Sequence, residues 1–282
     1  MLSLIPFVLT ALLSVVPILT GAQKPIGTSY SGQNLLASSH PFAITARDSN
    51  VVLFAPIPKS TASSLLPKGV SLLPTHPISG FKDDEWPLLL NLGLDKDLNE
   101  YSLSRVDFHH GYIGIPWTDK SKDGKTPFTS SFDVLFSDNL FIAASSQLLA
   151  GFNSIPMTFA PETDPFVNGS GTYKAVKDQH TYFDLSYAKA GDEGARISRS
   201  TYVDVLTQGR FQNSGCLYHE QYFNFTNTDP YDILADVRIT DSWVPSAIAG
   251  TYKQARGLRL NQHWIETISQ PCKGRGVAHG EL

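Results

Sequence analysis

Short runs with an apolar side chain at every second position recur through the chain: Phe132, Val134 and Phe136; Tyr182 to Tyr187 in Tyr-Phe-Asp-Leu-Ser-Tyr; and Ile233, Ala235, Val237 and Ile239. Successive side chains of a strand point to opposite faces, so this period marks half-buried strands, and their β-branched and aromatic content agrees. Gly and Pro, 21 and 18 of them, punctuate the runs, so most connections are turns or short loops. Helix is the minority element. Ser60 can cap a short helix over Thr61 to Leu66 that Pro67 and Gly69 would end. The stretch from Asn139 to Ala150 reads either as a second helix or, at Phe141-Ile142, as the end of a strand. The expected fold is mainly β with minor α. An antiparallel sheet of this length must close or sandwich to hide its edges, which gives a barrel-like sheet able to enclose a small-molecule cavity.

The 282 residues are 41% apolar, enough for a real core, and no shift in composition divides them. Residues 23–282 are therefore expected to form one domain. Twenty-two basic against 26 acidic residues give a net charge of −4 without a Lys/Arg run, which excludes the electrostatic footprint of a nucleic-acid binder. Residues 1–22 read as a secretory signal peptide: no charge precedes Lys24, Leu2 to Leu19 are dominated by apolar residues, and Thr20-Gly-Ala22 offers a cleavage site. The competing reading is an uncleaved anchor, which Pro6 and Pro17 disfavour, and no later segment is long and apolar enough to span a bilayer. Cys216 and Cys272 are most simply one disulfide, worth about 4 kcal/mol by loop entropy, against the alternative of two buried thiols. Asn168 and Asn224 head N-glycosylation sequons. The last residues, His279-Gly-Glu-Leu282, are similar to an endoplasmic-reticulum retrieval signal with Gly280 in place of Asp, so lumenal retention and secretion both stand.

Phosphate-binding loops, nucleophile elbows, His-Glu-x-x-His and Cys-x-x-Cys are all missing. The clearest chemical cluster is Arg105-Val-Asp-Phe-His-His-Gly-Tyr112, followed by Ile113-Gly-Ile-Pro-Trp117. On a strand Asp107 and His109 share one face and Phe108 and His110 the other, so an imidazole can lie beside a carboxylate, an arrangement suited to proton transfer near neutral pH. A metal site would need a third ligand such as His180 or His219; the plain alternative is a polar strand surface with one packed histidine. His219 and Glu220 are neighbours on opposite faces and do not form a pair. Arg47, before Val51-Val-Leu-Phe54, anchors a substrate carboxylate only if it faces a pocket.

The segment Val51-Val-Leu-Phe-Ala-Pro-Ile-Pro-Lys-Ser-Thr-Ala-Ser-Ser-Leu-Leu-Pro-Lys-Gly-Val70 resembles the amino-terminal part of the acetoacetate decarboxylase family. His110-Gly-Tyr-Ile-Gly-Ile-Pro-Trp117 is similar to the family strand ending in Ile-Pro, and the segment from Phe132 to Leu149 to the strand and turn leading to its catalytic loop. The likeness runs from Arg47 to Pro156. It implies a mostly antiparallel barrel-like core around a deep cavity, and a loop lysine that forms a Schiff base with a β-keto acid. Here that loop reads Gly151-Phe-Asn-Ser-Ile-Pro156, with no lysine, so imine chemistry is not expected. The family's pocket glutamate aligns near His110 and its amino-terminal arginine near Arg47.

Two functions follow. The first is a secretory-pathway enzyme acting without a cofactor on a small keto acid or polyketide-like carbonyl compound, by decarboxylation, dehydration, isomerisation or cyclisation. His109 or His110 would move protons, Ser154, Asn153 and Tyr112 would hydrogen-bond the carbonyl, and Arg47, Trp117 and Phe152 would bind the substrate. The second is a non-catalytic binding protein that keeps the cavity. Convergence of Arg47, a histidine and Ser154 on one cavity separates them.

Overall fold

The computed structural model describes residues 33–102, 104–137, 140–191, 197–213, 215–223 and 230–280. The proposed signal peptide, the Asn224 sequon and the last two residues lie outside them. Four long strands dominate: β1 (Ile44–Pro58), β3 (Glu85–Glu100), β4 (Ser104–Asp119) and β13 (Gly250–Glu266). Around them stand β2 (Ser71–Leu72), β5 (Phe128–Ser131), β6 (Val134–Ser137), β7 (Ser154–Ala160), β8 (Ser170–Lys177), β9 (His180–Lys189), β10 (Gly209–Phe211), β11 (His219–Tyr222), β12 (Tyr231–Ile239) and β14 (Val277–His279). The helices are short: α1 (Leu35–Ser39), α2 (Lys59–Ser64), α3 (Leu140–Ser145) and α4 (Arg199–Leu206). No helix among the described residues is long and apolar enough to cross a membrane.

The ladder β1-β3-β4-β6-β7-β8-β9-β12-β13 closes on itself through β13 and β1, which makes a nine-stranded barrel. Closure rather than sandwiching removes the edges. Its interior is packed: Phe159, Tyr173, Phe183 and Trp243 are buried and in ring contact, and the same inward period brings Leu53, Leu90 and Ile113 against them.

The long strands do more than close this barrel. At the Gly114–Thr118 end of β4 the partner is β5 instead of β6, and β10 pairs with β5; at the far end of β13 the partner is β11 instead of β12. A bridge between Arg210 and Leu217 links β10 toward β11. Thus β1, β3, β4 and β13 are a wall with the packed barrel on one side and a second curl of the same sheet on the other. This is why the first twelve residues of β1 are all buried, though strand period puts them alternately on two faces.

The short helices differ in detail from expectation. Helix α2 starts at Lys59 behind Pro58, whose fixed φ suits a helix start, so Ser60 lies inside the first turn and caps nothing. The stretch before the loop is helical: α3 runs into a π-turn at Ser146–Ala150 that Gly151 ends in the left-handed region at φ 75°. Cys216 and Cys272 form the disulfide, tying the start of β11 to the segment after β13.

Candidate active site

The second curl holds a cavity of about 110 Å³, several times what one water needs and enough for a small organic molecule. Its apolar lining includes Leu89, Phe108, Val134, Phe136, Leu149 and Phe152. Its polar lining includes a set of side chains from one face of the wall, Asp48, Asn91, Asp95, Glu100, His110, Gln262 and Glu266, and faces Arg210, His219 and Gln221. Register explains the grouping. Asp48 is opposite Asp95 on one side and Gln262 on the other, and Gly93, two residues before Asp95, is opposite His110.

His110 Nδ1 lies 3.0 Å from Asp95 Oδ2, and the Trp264 indole donates to Asp95 Oδ1 at 2.9 Å. Asp48 Oδ2 accepts from Asn50 at 2.7 Å and from Gln262 at 3.3 Å, while Asp48 Oδ1 has no hydrogen-bond partner among the described residues. A glycine is needed at position 93, because a Cβ there would stand 2.7 Å from both Asn50 Cβ and His110 Cε1 and 2.8 Å from Asp48 Oδ1. Burial, then the nearby Asp95, pushes the Asp48 carboxyl up to about 8, against the pull of His110 and the Gln262 hydrogen bond. Burial alone would push His110 down, but the Asp48 and Asp95 carboxyls outweigh it and hold the imidazole above its ordinary value. Asp48 and His110 therefore trade protons as one system, with the Asp95 carboxylate beside them. Their donor atoms lie within 4.8 Å of one another, close enough to hold a cation, but the pairing of His110 with Asp95 already balances charge inside the group.

Across the cavity, Arg210 lies 5.1 Å above the Tyr112 ring and 3.3 Å from Glu266 Oε2. His219 Nε2 is 2.7 Å from the same oxygen and 2.5 Å from Arg210 Nη2, and its Nδ1 is 3.1 Å from the Gln221 amide nitrogen. Burial first, then Arg210, lowers the His219 pKa, so this imidazole is the neutral one. It stacks on Trp264 at 4.9 Å. Burial and the neighbouring Glu266 push Glu100 up to about 7, against a hydrogen bond from Ser145.

The candidates named from sequence divide across the wall. His110, Tyr112 and Phe152 line the cavity. His109 points the other way, into the barrel, with Nδ1 3.0 Å from the Tyr173 hydroxyl and Nε2 3.2 Å from the Glu162 carbonyl. Burial lowers it to about 4, so it packs as a neutral ring against Phe159. Asp107 does not join it; its carboxylate accepts from the Asp97 backbone at a bulge in β3. Arg47 also faces the barrel side, in register with Lys96 and His263, while its neighbour Asp48 faces the cavity. Trp117 donates to Asp204 at 2.6 Å and packs on Phe54, away from the cavity. Asn153 is exposed, its N–H donating to Gln212, and the Ser154 hydroxyl meets that of Ser146 at 3.1 Å rather than the cavity. Asn168 is on the surface, its carbonyl accepting from Tyr187 and Tyr231. His180 opens β9 on the exposed side of the barrel.

Sequence reading missed Asp48, Asp95, Glu100, Arg210 and Glu266. The usable signal was a polar residue every second or fourth place within apolar strands, as at Asp48 and Asn50 or Asn91 and Asp95. No lysine is among the described residues that line the cavity; Lys96 is buried on the barrel side, 3.5 Å from Asp164.

Neither a family model nor a curated protein sequence matches the chain. Among solved structures, the enduracididine biosynthesis enzyme MppR in complex with pyruvate is similar at a TM-score of 0.54 and 10% identity, over 90% of this chain and 96% of that one. The same enzyme with the condensation product of pyruvate and imidazole 4-carboxaldehyde gives 0.53 and 12%, over 90% and 98%. An acetoacetate decarboxylase gives 0.51 and 7%, over 80% and 88%. Likeness at these identities is one of architecture, and with the closed nine-stranded barrel it shows that this chain has the acetoacetate decarboxylase-like fold.

Proposed function

We propose that the protein is a secretory-pathway enzyme that moves protons on a small carbonyl compound, a keto acid or a polyketide-like molecule, without a lysine imine and without a cofactor. The observation that carries this is the Asp48–His110–Asp95 group, buried on the wall of an otherwise largely apolar cavity. Asp48, held protonated, gives its proton to the carbonyl oxygen. The His110–Asp95 pair, in its deprotonated fraction, takes a proton from the carbon next to the carbonyl, and the C–H electron pair moves into the enol. Arg210 is the guanidinium on the wall where a substrate carboxylate can compete with Glu266. The fold likeness to MppR, whose structures hold pyruvate and a condensation product, supports a small carbonyl ligand. The apolar run from Leu2 to Leu19 and the disulfide support the secretory pathway.

The test is solvent-deuterium exchange into a panel of small ketones and keto acids, followed by proton NMR. The wild type should exchange α-hydrogens above background, and His110→Asn should lose about 100-fold or more of that rate. A second reading, a binding protein that keeps the cavity, is favoured by the missing lysine. Ligand binding without exchange in any member of the panel would establish it in place of the enzyme.

A further inference from the structure

At one end of the cavity the chemistry changes. Ile44 of β1 is in register with Glu100 on one neighbouring strand and with Glu266 on the other, so the two carboxyls flank it on the same face. With strands ~4.8 Å apart, their Cα atoms stand on the order of 10 Å apart, a gap that a group between them can bridge. Around Glu100 is an apolar sleeve of Ile44, Leu98, Phe108, Ile142 and Trp264. Glu100 is 4% exposed, yet Glu100 Oε2 holds no hydrogen bond and the residue makes no ion pair among the described residues. Glu266, by contrast, is already engaged by His219 and Arg210.

A buried carboxyl in apolar surroundings is costly unless something meets it. Asp48 holds its proton, Asp95 is met by His110 and Glu266 by Arg210, so Glu100 is the carboxyl of the lining that no cation meets among the described residues, and the imidazole at this end, His219, is the neutral one. A ligand cation at Glu100 relieves this imbalance; a ligand anion there would worsen it. We infer that Glu100, with Glu266 beside it, receives an organic cation, so that the cavity's ligand carries a protonated amine at the end remote from its carbonyl group. This rests on reading the opposite end, at Asp48 and His110, as the carbonyl site. From Ile44 to Asp48 is four residues, roughly 13 Å of strand, so the two groups of one ligand are separated by several bonds.

The test is equilibrium binding of three probes of one size to the full chain: butylammonium, 1-butanol and butyrate. Butylammonium should bind at least tenfold more tightly than 1-butanol, and butyrate most weakly. Glu100→Gln should bring the ammonium preference over the alcohol to threefold or less, and Glu100→Asp, which retracts the carboxylate, should give an intermediate value. An alcohol that binds the wild type as well as the ammonium overturns the inference, and so does a preference that survives in Glu100→Gln. The wild-type order decides by itself should that variant not fold. Binding reads no chemistry and exchange into an uncharged ketone reads no cation. Exchange without an ammonium preference therefore removes only the cation subsite, and a preference without exchange removes only the catalytic reading.

Discussion

His109 and His110 are adjacent in sequence and belong to different compartments. Strand geometry alone separates them, one toward the barrel core and one toward the cavity. Which of them meets a carboxylate is a matter of register, since Asp95 reaches His110 from the neighbouring strand 15 positions earlier in the chain, while the local candidate, Asp107, is used by the backbone. Gly93 makes that approach possible. Gly93→Ala should cost about 1–3 kcal/mol, by overpacking against Asn50, His110 and Asp48, and should cut exchange activity with it; urea unfolding and the deuterium assay check both. Asp48 also sets a pH dependence. Its folded pKa of about 8 lies above the ordinary value of 3.8, so the folded state holds a proton that the unfolded chain has released. The stability this confers is full below about 4 and is lost as pH rises toward about 8. The wild type should therefore lose stability relative to Asp48→Asn across that window, and matched curves at every pH in a thermal-melt series would refute the shift.

The cavity's outer wall is made of small elements: β10, β11 and the α3 π-turn. None has the length to be stable alone, and the Cys216–Cys272 bond is what fastens β11 to the chain beyond β13, aided by the paired backbone bonds between Cys216 and Gln270. Cys272→Ser should lose about 2–4 kcal/mol of stability. Hydrogen exchange should rise most in β10 and β11, which carry Arg210 and His219, and least in β8, β9 and β12. An even rise across all of these would show that the bond braces the whole molecule rather than the wall. The π-turn that ends at Gly151 aims Leu149, Ala150 and Phe152 at the cavity and leaves Asn153 and Ser154 outside it. A sequence count of the same loop gives no hint of this, because an extra residue in a helical turn rotates every side chain after it.

At the scale of the molecule, the barrel core and the cavity share a wall but not their contents. Phe183→Ala, deep in the barrel, should cost about 3–5 kcal/mol yet leave exchange activity per folded molecule within about threefold, read from calorimetry and the deuterium assay together. A large loss of activity at full folding would mean that the wall transmits the barrel's packing to the site. The period-two runs at Tyr182 to Tyr187 and Ile233 to Ile239 were legible because β9 and β12 have one face in the core and one in water. The wall strands were harder to read, since burial on both faces blurs the alternation. By itself the sequence determined a β-rich chain, two cysteines able to bond, a histidine pair beside an Ile-Pro strand, and the absence of a lysine where an imine would form. Tertiary structure decided that the sheet closes as a barrel and curls a second time, that Asp48 and Asp95 meet His110 while Arg47 and Asp107 fall elsewhere, and that Glu100 is buried with its Oε2 unmet among the described residues. The first set depends on composition and spacing along the chain. The second depends on pairing between strands up to some two hundred residues apart, such as Asp48 with Gln262, and no local pattern encodes that register.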